Sequence, residues 1–146
     1  MRIYRLLFWL GFLLYVIAFF LPAVFETGVA PLRGYYCALI TLVQVWTREG
    51  WSLLREEPFN YISLAISGWI NPLFLVSAIL IPIRKAQRAV GILRTMILVM
   101  IPVCWIVFHN VKVRPREGHF LWVMGMVLVL FSNKFRPALE KSNTKT

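Results

Sequence analysis

Ser63, Ser67 and Asn71 recur at every fourth position inside Tyr61–Ile83, a run of 23 residues without a formal charge. In a helix that spacing places two hydroxyls and an amide on one face, with Gly68 beside them. Pro72 follows at once; it has no N–H, so the carbonyl of Gly68, four residues back, loses its helical partner. A free carbonyl in hydrocarbon costs several kcal/mol. Ser and Asn are suitable local partners, and Gly admits a close neighbour. The stretch predicts a bend turned toward protein rather than lipid, and Pro102 predicts a second bend that frees the carbonyl of Leu98. Such groups either close a packing contact or line a polar path for a solute.

Acid–base or metal chemistry would need other residues. His109 and His119 fall near two adjacent apolar runs, and Glu117 lies close to the second. The spacing matches no metal motif, no helix-borne HExxH accompanies it, and no metal or other cofactor is expected. Glu26 and Glu49 are the remaining outer-face candidates, and a pocket gathering Glu26, Glu49, His109 and His119 would point to an enzyme. Cys37 and Cys104 are far apart in sequence and are read as free thiols. GxSxG, Walker and CxxC patterns do not occur.

These residues need elements to position them, and composition sets the class. The chain has 146 residues, 60% of them hydrophobic, above the 45–50% usual in soluble domains. The excess falls in four blocks, Leu6–Val24, Tyr61–Ile83, Thr95–Phe108 and Phe120–Phe131. A helix of ~20 apolar residues crosses a bilayer. The first two blocks reach that length, and Arg94 and Lys134 extend the other two if they snorkel. The expectation is an all-α polytopic membrane protein of one domain, with spans over 6–24, 61–83, 89–109 and 118–133 in a four-helix transmembrane bundle. The first span reads as an uncleaved signal anchor, and the tail over 141–146 as disordered.

With the N-terminus in the cytoplasm and four crossings, ten Lys and Arg lie inside and six outside, among them Arg33, Arg48, Arg55, Lys112, Arg114 and Arg116. The positive-inside rule then places both termini in the cytoplasm. Anionic headgroups account for the net charge of +10, and no nucleic-acid motif accompanies it. Cys37, Thr41, Gln44 and Arg48 share one face of a helix over 35–48, which is expected to lie in the outer interface, held by Tyr35, Tyr36, Trp46 and Trp51.

Small residues mark packing faces. Gly11 and Ala18 share a stripe with Tyr15 and Pro22, and Gly118, Gly125 and Ser132 repeat every seven residues. Such stripes let backbones approach, in one chain or between copies. The apolar blocks carry no acid, base or histidine at their centres, and the chain has no Asp, whereas ion-coupled sites rest on such groups. The leading expectation is therefore a non-enzymatic assembly or accessory protein that binds a membrane partner or itself. A small channel or carrier with a path at Ser67 and Asn71 comes second, and an outer-face enzyme third. The architecture resembles that of small four-span inner-membrane proteins of bacteria, which implies a plasma-membrane location.

Overall fold

The computed structural model describes residues 3–25, 30–110 and 112–132. It is all-α apart from three very short strands. The helices are α1 (Ile3–Phe20), α2 (Gly34–Gln44), α3 (Arg48–Glu56), α4 (Pro58–Leu80), α5 (Gln87–Asn110) and α6 (Glu117–Ser132), and the strands are β1 (Pro22–Phe25), β2 (Leu32–Arg33) and β3 (Arg114–Pro115). Three helices, α1, α4 and α5, are long and apolar enough to cross a membrane; α6, with 16 residues, is apolar but shorter. These helices mark the chain as a membrane protein. Trp9, Phe20, Ile79, Ile92 and Val99 are each more than 60% exposed, a surface that suits lipid far better than water.

Local chemistry explains the boundaries. The expected first span runs four residues too far: α1 stops at Phe20 because Pro22 disfavours helical geometry at Leu21. Residues 22–25 pair instead as the central strand of an antiparallel sheet ordered β2-β1-β3, with Val24 opposite both Leu32 and Pro115. Gly34 N–H donates to Leu21 O (3.1 Å) and Arg116 N–H to Ala23 O (2.8 Å). The sheet thus ties the end of α1 to the starts of α2 and α6.

The helix expected over 35–48 is two helices. The chain turns at Trp46, and Thr47 caps α3 by accepting from Gly50 N–H at 3.2 Å. Glu49 in its first turn and Arg55 in its last suit the helix dipole. Helix α4 starts with Pro58 in its first turn, where a missing N–H costs nothing. Gln87 Nε2 donates to Ile81 O and Ile83 O, both at 3.1 Å, and closes the turn into α5. At the far end of α5, Lys112 takes φ 56°, and Lys112 and Val113 N–H cap the carbonyls of His109 and Phe108.

Helix α1 packs chiefly on α6 and α4 on α5, while α2 and α3 lie against α4. At the α1/α6 crossing Gly11 meets Gly125. A Cβ on Gly11 would come within 2.8 Å of Gly125 O, and one on Gly125 within 2.7 Å of Gly11 O. The small-residue stripes therefore meet within one chain at Gly11 and Gly125, while Ala18 lies against Gly34 and Gly118 against Leu21 and Pro22. The core joining the helices is Tyr15, Ile70, Phe74, Val90, Ile97, Met126, Val129 and Leu130, all at most 4% exposed. The Arg94 guanidinium lies over the Phe131 ring at 5.1 Å.

Candidate functional site

The face of α4 that carries Ser63, Ser67 and Asn71 turns inward. Ser63 is buried, and Ser67 Oγ donates to its carbonyl at 2.9 Å, a local bond that occupies the hydroxyl proton. Cys104 Sγ on α5 lies 3.1 Å from Ser67 Oγ and donates to it. One turn on, Asn71 Oδ1 accepts from Tyr15 Oη of α1 (3.0 Å) and from Trp122 Nε1 of α6 (2.8 Å). An indole N–H can only donate, so the oxygen of the amide must face it, which fixes the orientation of the Asn71 side chain. One amide thereby links three helices, and one thiol–hydroxyl contact links α4 to α5.

Helix α4 continues through Pro72, and α5 through Pro102, which is exposed on its outer side. Gly68 serves the neighbour on its own face: a Cβ there would sit 2.5 Å from Thr41 O. The missing side chain lets α2 lie directly on α4, about ten residues below the start of that helix.

Helix α2 closes one side of a partly open cavity of about 300 Å³. Ser67, Asn71 and Cys104 lie along one wall, with Cys37 and Thr41 contributed by α2 and His119 and Trp122 by α6. Its walls include no Asp, Glu, Lys or Arg and are overwhelmingly apolar. His119 is 5% exposed and sits among the rings of Phe108 (4.9 Å), Trp122 (5.3 Å) and Trp105 (6.0 Å). Its Nε2 has no hydrogen-bond partner among the described residues. A second cavity, about 500 Å³, lies near the start of α1 and the ends of α4 and α6, between Arg5, Phe8, Ile81 and Ser132, and it shares no lining residue with the first.

The other residues singled out from sequence fall as follows. Ala18 is buried against Gly34, and Gly118 against the carbonyl of Pro22. Ser132 is buried and bonds back to Val129 O at 2.7 Å. Glu49 is exposed on α3 and His109 is exposed at the end of α5, so neither joins His119 in the cavity; Glu26 lies outside the described residues. Among the described residues no three of His, Cys, Asp and Glu come together as a metal site would require. Cys37 and Cys104 are both free and both line the cavity.

Sequence reasoning missed Tyr15 and Trp122 as the donors to Asn71 and Cys104 as the donor to Ser67. The signal available was modest: Tyr15 lies on the Gly11–Ala18 stripe, and a buried Tyr or Trp seeks a partner for its polar tip. No family model matches the chain, and neither a curated protein nor a solved structure matches it.

Proposed function

We propose that the chain is a four-span protein of a bacterial plasma membrane, with both termini in the cytoplasm and anionic headgroups beside its inner Lys and Arg. Helix α6 completes the bundle. At about 24 Å its 16 residues fall short of the hydrocarbon thickness, which local thinning and flanking bases accommodate. The amphipathic α3, which carries Trp51 and is flanked by Trp46 and Phe59, is the interfacial element on the outer side, and α2 is a shallow intramembrane cover over α4. Single cysteines replacing Glu49 and Lys85 test this topology in the intact membrane. A membrane-impermeant maleimide labels the first and spares the second until the cells are opened; the opposite pattern would invert the assignment.

Within that frame the protein is a non-enzymatic accessory component that binds a small apolar molecule from the bilayer. The observation that carries the reading is the cavity: uncharged, walled by four helices and half covered by α2. The small-residue faces first expected to dock a partner or a second copy are occupied within the chain, so the cavity is the better candidate for recognition. Its volume lies at the lower end of the range typical of ligand pockets. Native mass spectrometry of protein released from mild detergent tests the proposal. A monomer carrying one bound small-molecule adduct, lost in Gly34→Leu or Cys104→Phe, is expected. An adduct-free homo-oligomer would return the function to self-assembly.

One observation favours a carrier as the second reading: Ser67 and Asn71 both face the cavity. Against an open channel, Phe74 and Ser77 are fully buried on α4 between the residues that line the two cavities. Proteoliposome flux that disappears in Asn71→Leu would support transport.

A further inference from the structure

We propose that the cavity takes an uncharged molecule with a carbonyl oxygen on an apolar body, and that this oxygen accepts from Asn71 Nδ2. The proposal rests on the reading of the cavity as a binding site and adds the chemistry of its guest.

Most of the polar donors on the walls are already committed within the protein. Thr41 Oγ1 is committed to the carbonyls of Cys37 and Ala38. Ser67 Oγ is committed to Ser63 O, and Cys104 Sγ to Ser67. Trp122 Nε1 is committed to Asn71 Oδ1. The amide of Asn71 is held with its oxygen toward Trp122 and Tyr15, so its NH2 group must face elsewhere. Among the described residues Asn71 Nδ2 has no acceptor, yet Asn71 lines the cavity. An amide donor beside an apolar space is left wanting an acceptor, and a guest that supplies one gains over a guest that does not.

The rest of the wall narrows the class. A charged group would enter a space with no Asp, Glu, Lys or Arg to pair with and would lose its hydration uncompensated. A purely hydrocarbon guest would fit the walls and leave the donor unmet. A carbonyl on an alkyl or aromatic body meets both conditions, and the Trp122 and Phe108 rings suit either body. His119 Nε2 also lacks a hydrogen-bond partner among the described residues, and the Cys37 thiol is free on the same walls. An imidazole can present a donor or a lone pair and a thiol donates only weakly, whereas the amide NH2 only donates, so Asn71 is the group that selects an acceptor. The ester of a bilayer glycerolipid and the ketone of a molecule dissolved in the bilayer share this chemistry.

Protein in nanodiscs of diether lipids, which contain no carbonyl, is equilibrated with methyl nonyl ketone labelled with carbon-13 at its carbonyl, or with undecane. Protein-dependent retention is measured by gas chromatography and the labelled carbonyl by infrared spectroscopy. Saturable ketone binding about fivefold tighter than that of undecane is expected, the yield of one net hydrogen bond, with the carbonyl band moved to lower wavenumber. Asn71→Leu should reduce ketone affinity to that of undecane. His119→Phe should keep the band shift, and losing it there would overturn the assignment to Asn71. Equal affinities with an unshifted band in the unmutated protein would overturn the carbonyl inference and leave the cavity reading standing. Saturable binding of neither probe would overturn both. Repeating the titration in ester lipids separates the sources: weaker ketone binding there marks the bilayer's own esters as the guest, and unchanged binding marks a free molecule.

Discussion

Gly125 and Gly91 both sit inside apolar helices, yet an added methyl group should act on them in opposite directions. At Gly91 a Cβ would meet nothing within 4 Å. Gly91→Ala should therefore only gain helix propensity, about 1 kcal/mol. At Gly125 the new carbon would lie 2.6 Å from Tyr15 N, 2.7 Å from Gly11 O and 3.0 Å from Tyr15 Cα. All three are backbone atoms, so no rotamer change relieves the clash, and α1 must move away from α6 by much of an ångström. Overpacking of that kind costs about 1–3 kcal/mol. The same displacement stretches the 3.0 Å hydrogen bond from Tyr15 to Asn71, worth about 1 kcal/mol. Gly91→Ala should thus exceed Gly125→Ala in stability by about 2–4 kcal/mol. Reversible unfolding in mixed dodecyl maltoside and SDS micelles, followed by near-ultraviolet circular dichroism, measures the difference. A Gly125→Ala protein as stable as Gly91→Ala would refute the close α1/α6 crossing.

Three further outcomes follow from the polar contacts and from α2. Asn71→Leu strands the Tyr15 hydroxyl and the Trp122 indole and should lose about 2–4 kcal/mol in the same unfolding assay, whereas Tyr15→Phe removes one bond and should lose about 1 kcal/mol; equal losses would mean that Asn71 does not join the two. Gly68→Ala places a methyl 2.5 Å from Thr41 O, so α2 should lift and Cys37 should react severalfold faster with a membrane-permeant maleimide; an unchanged rate would show that α2 does not rest on Gly68. Thr47→Ala removes the cap from α3 at a cost of about 1 kcal/mol confined to that helix, so its helical signal should fall while the global unfolding midpoint barely moves; a midpoint lowered as far as in Tyr15→Phe would show that α3 unfolds with the rest.

Much of the architecture could be read from residue order because a bilayer leaves few choices. Long apolar runs become helices: the uncharged run at 61–83 overlaps α4 (Pro58–Leu80), and the span expected over 89–109, Arg94 included, lies inside α5 (Gln87–Asn110). The inward turn of Ser63, Ser67 and Asn71 was legible for the same reason, since polar side chains in hydrocarbon seek protein. The meeting of Gly11 with Gly125 was half legible: each stripe was evident, while its partner depends on tertiary packing across nearly the whole chain. The strands escaped notice because pairings two to four residues long leave no periodicity, and Pro22-Ala-Val-Phe25 reads as more hydrocarbon. The split between α2 and α3 had a local signal in Thr47, overlooked because the polar stripe over 37–48 continues in phase across it. The cavity had none, since an empty space is made by what several distant segments fail to fill.

The pairing of α1 with α6 also bears on how the molecule is made. The ribosome adds on the order of ten residues per second, so α1 waits several seconds in the bilayer before its chief neighbour is synthesised. Throughout that interval the notch at Gly11 faces lipid, or whatever insertion machinery shelters it. Biogenesis, rather than the finished fold, is then the stage at which α1 is most open to capture by other nascent helices.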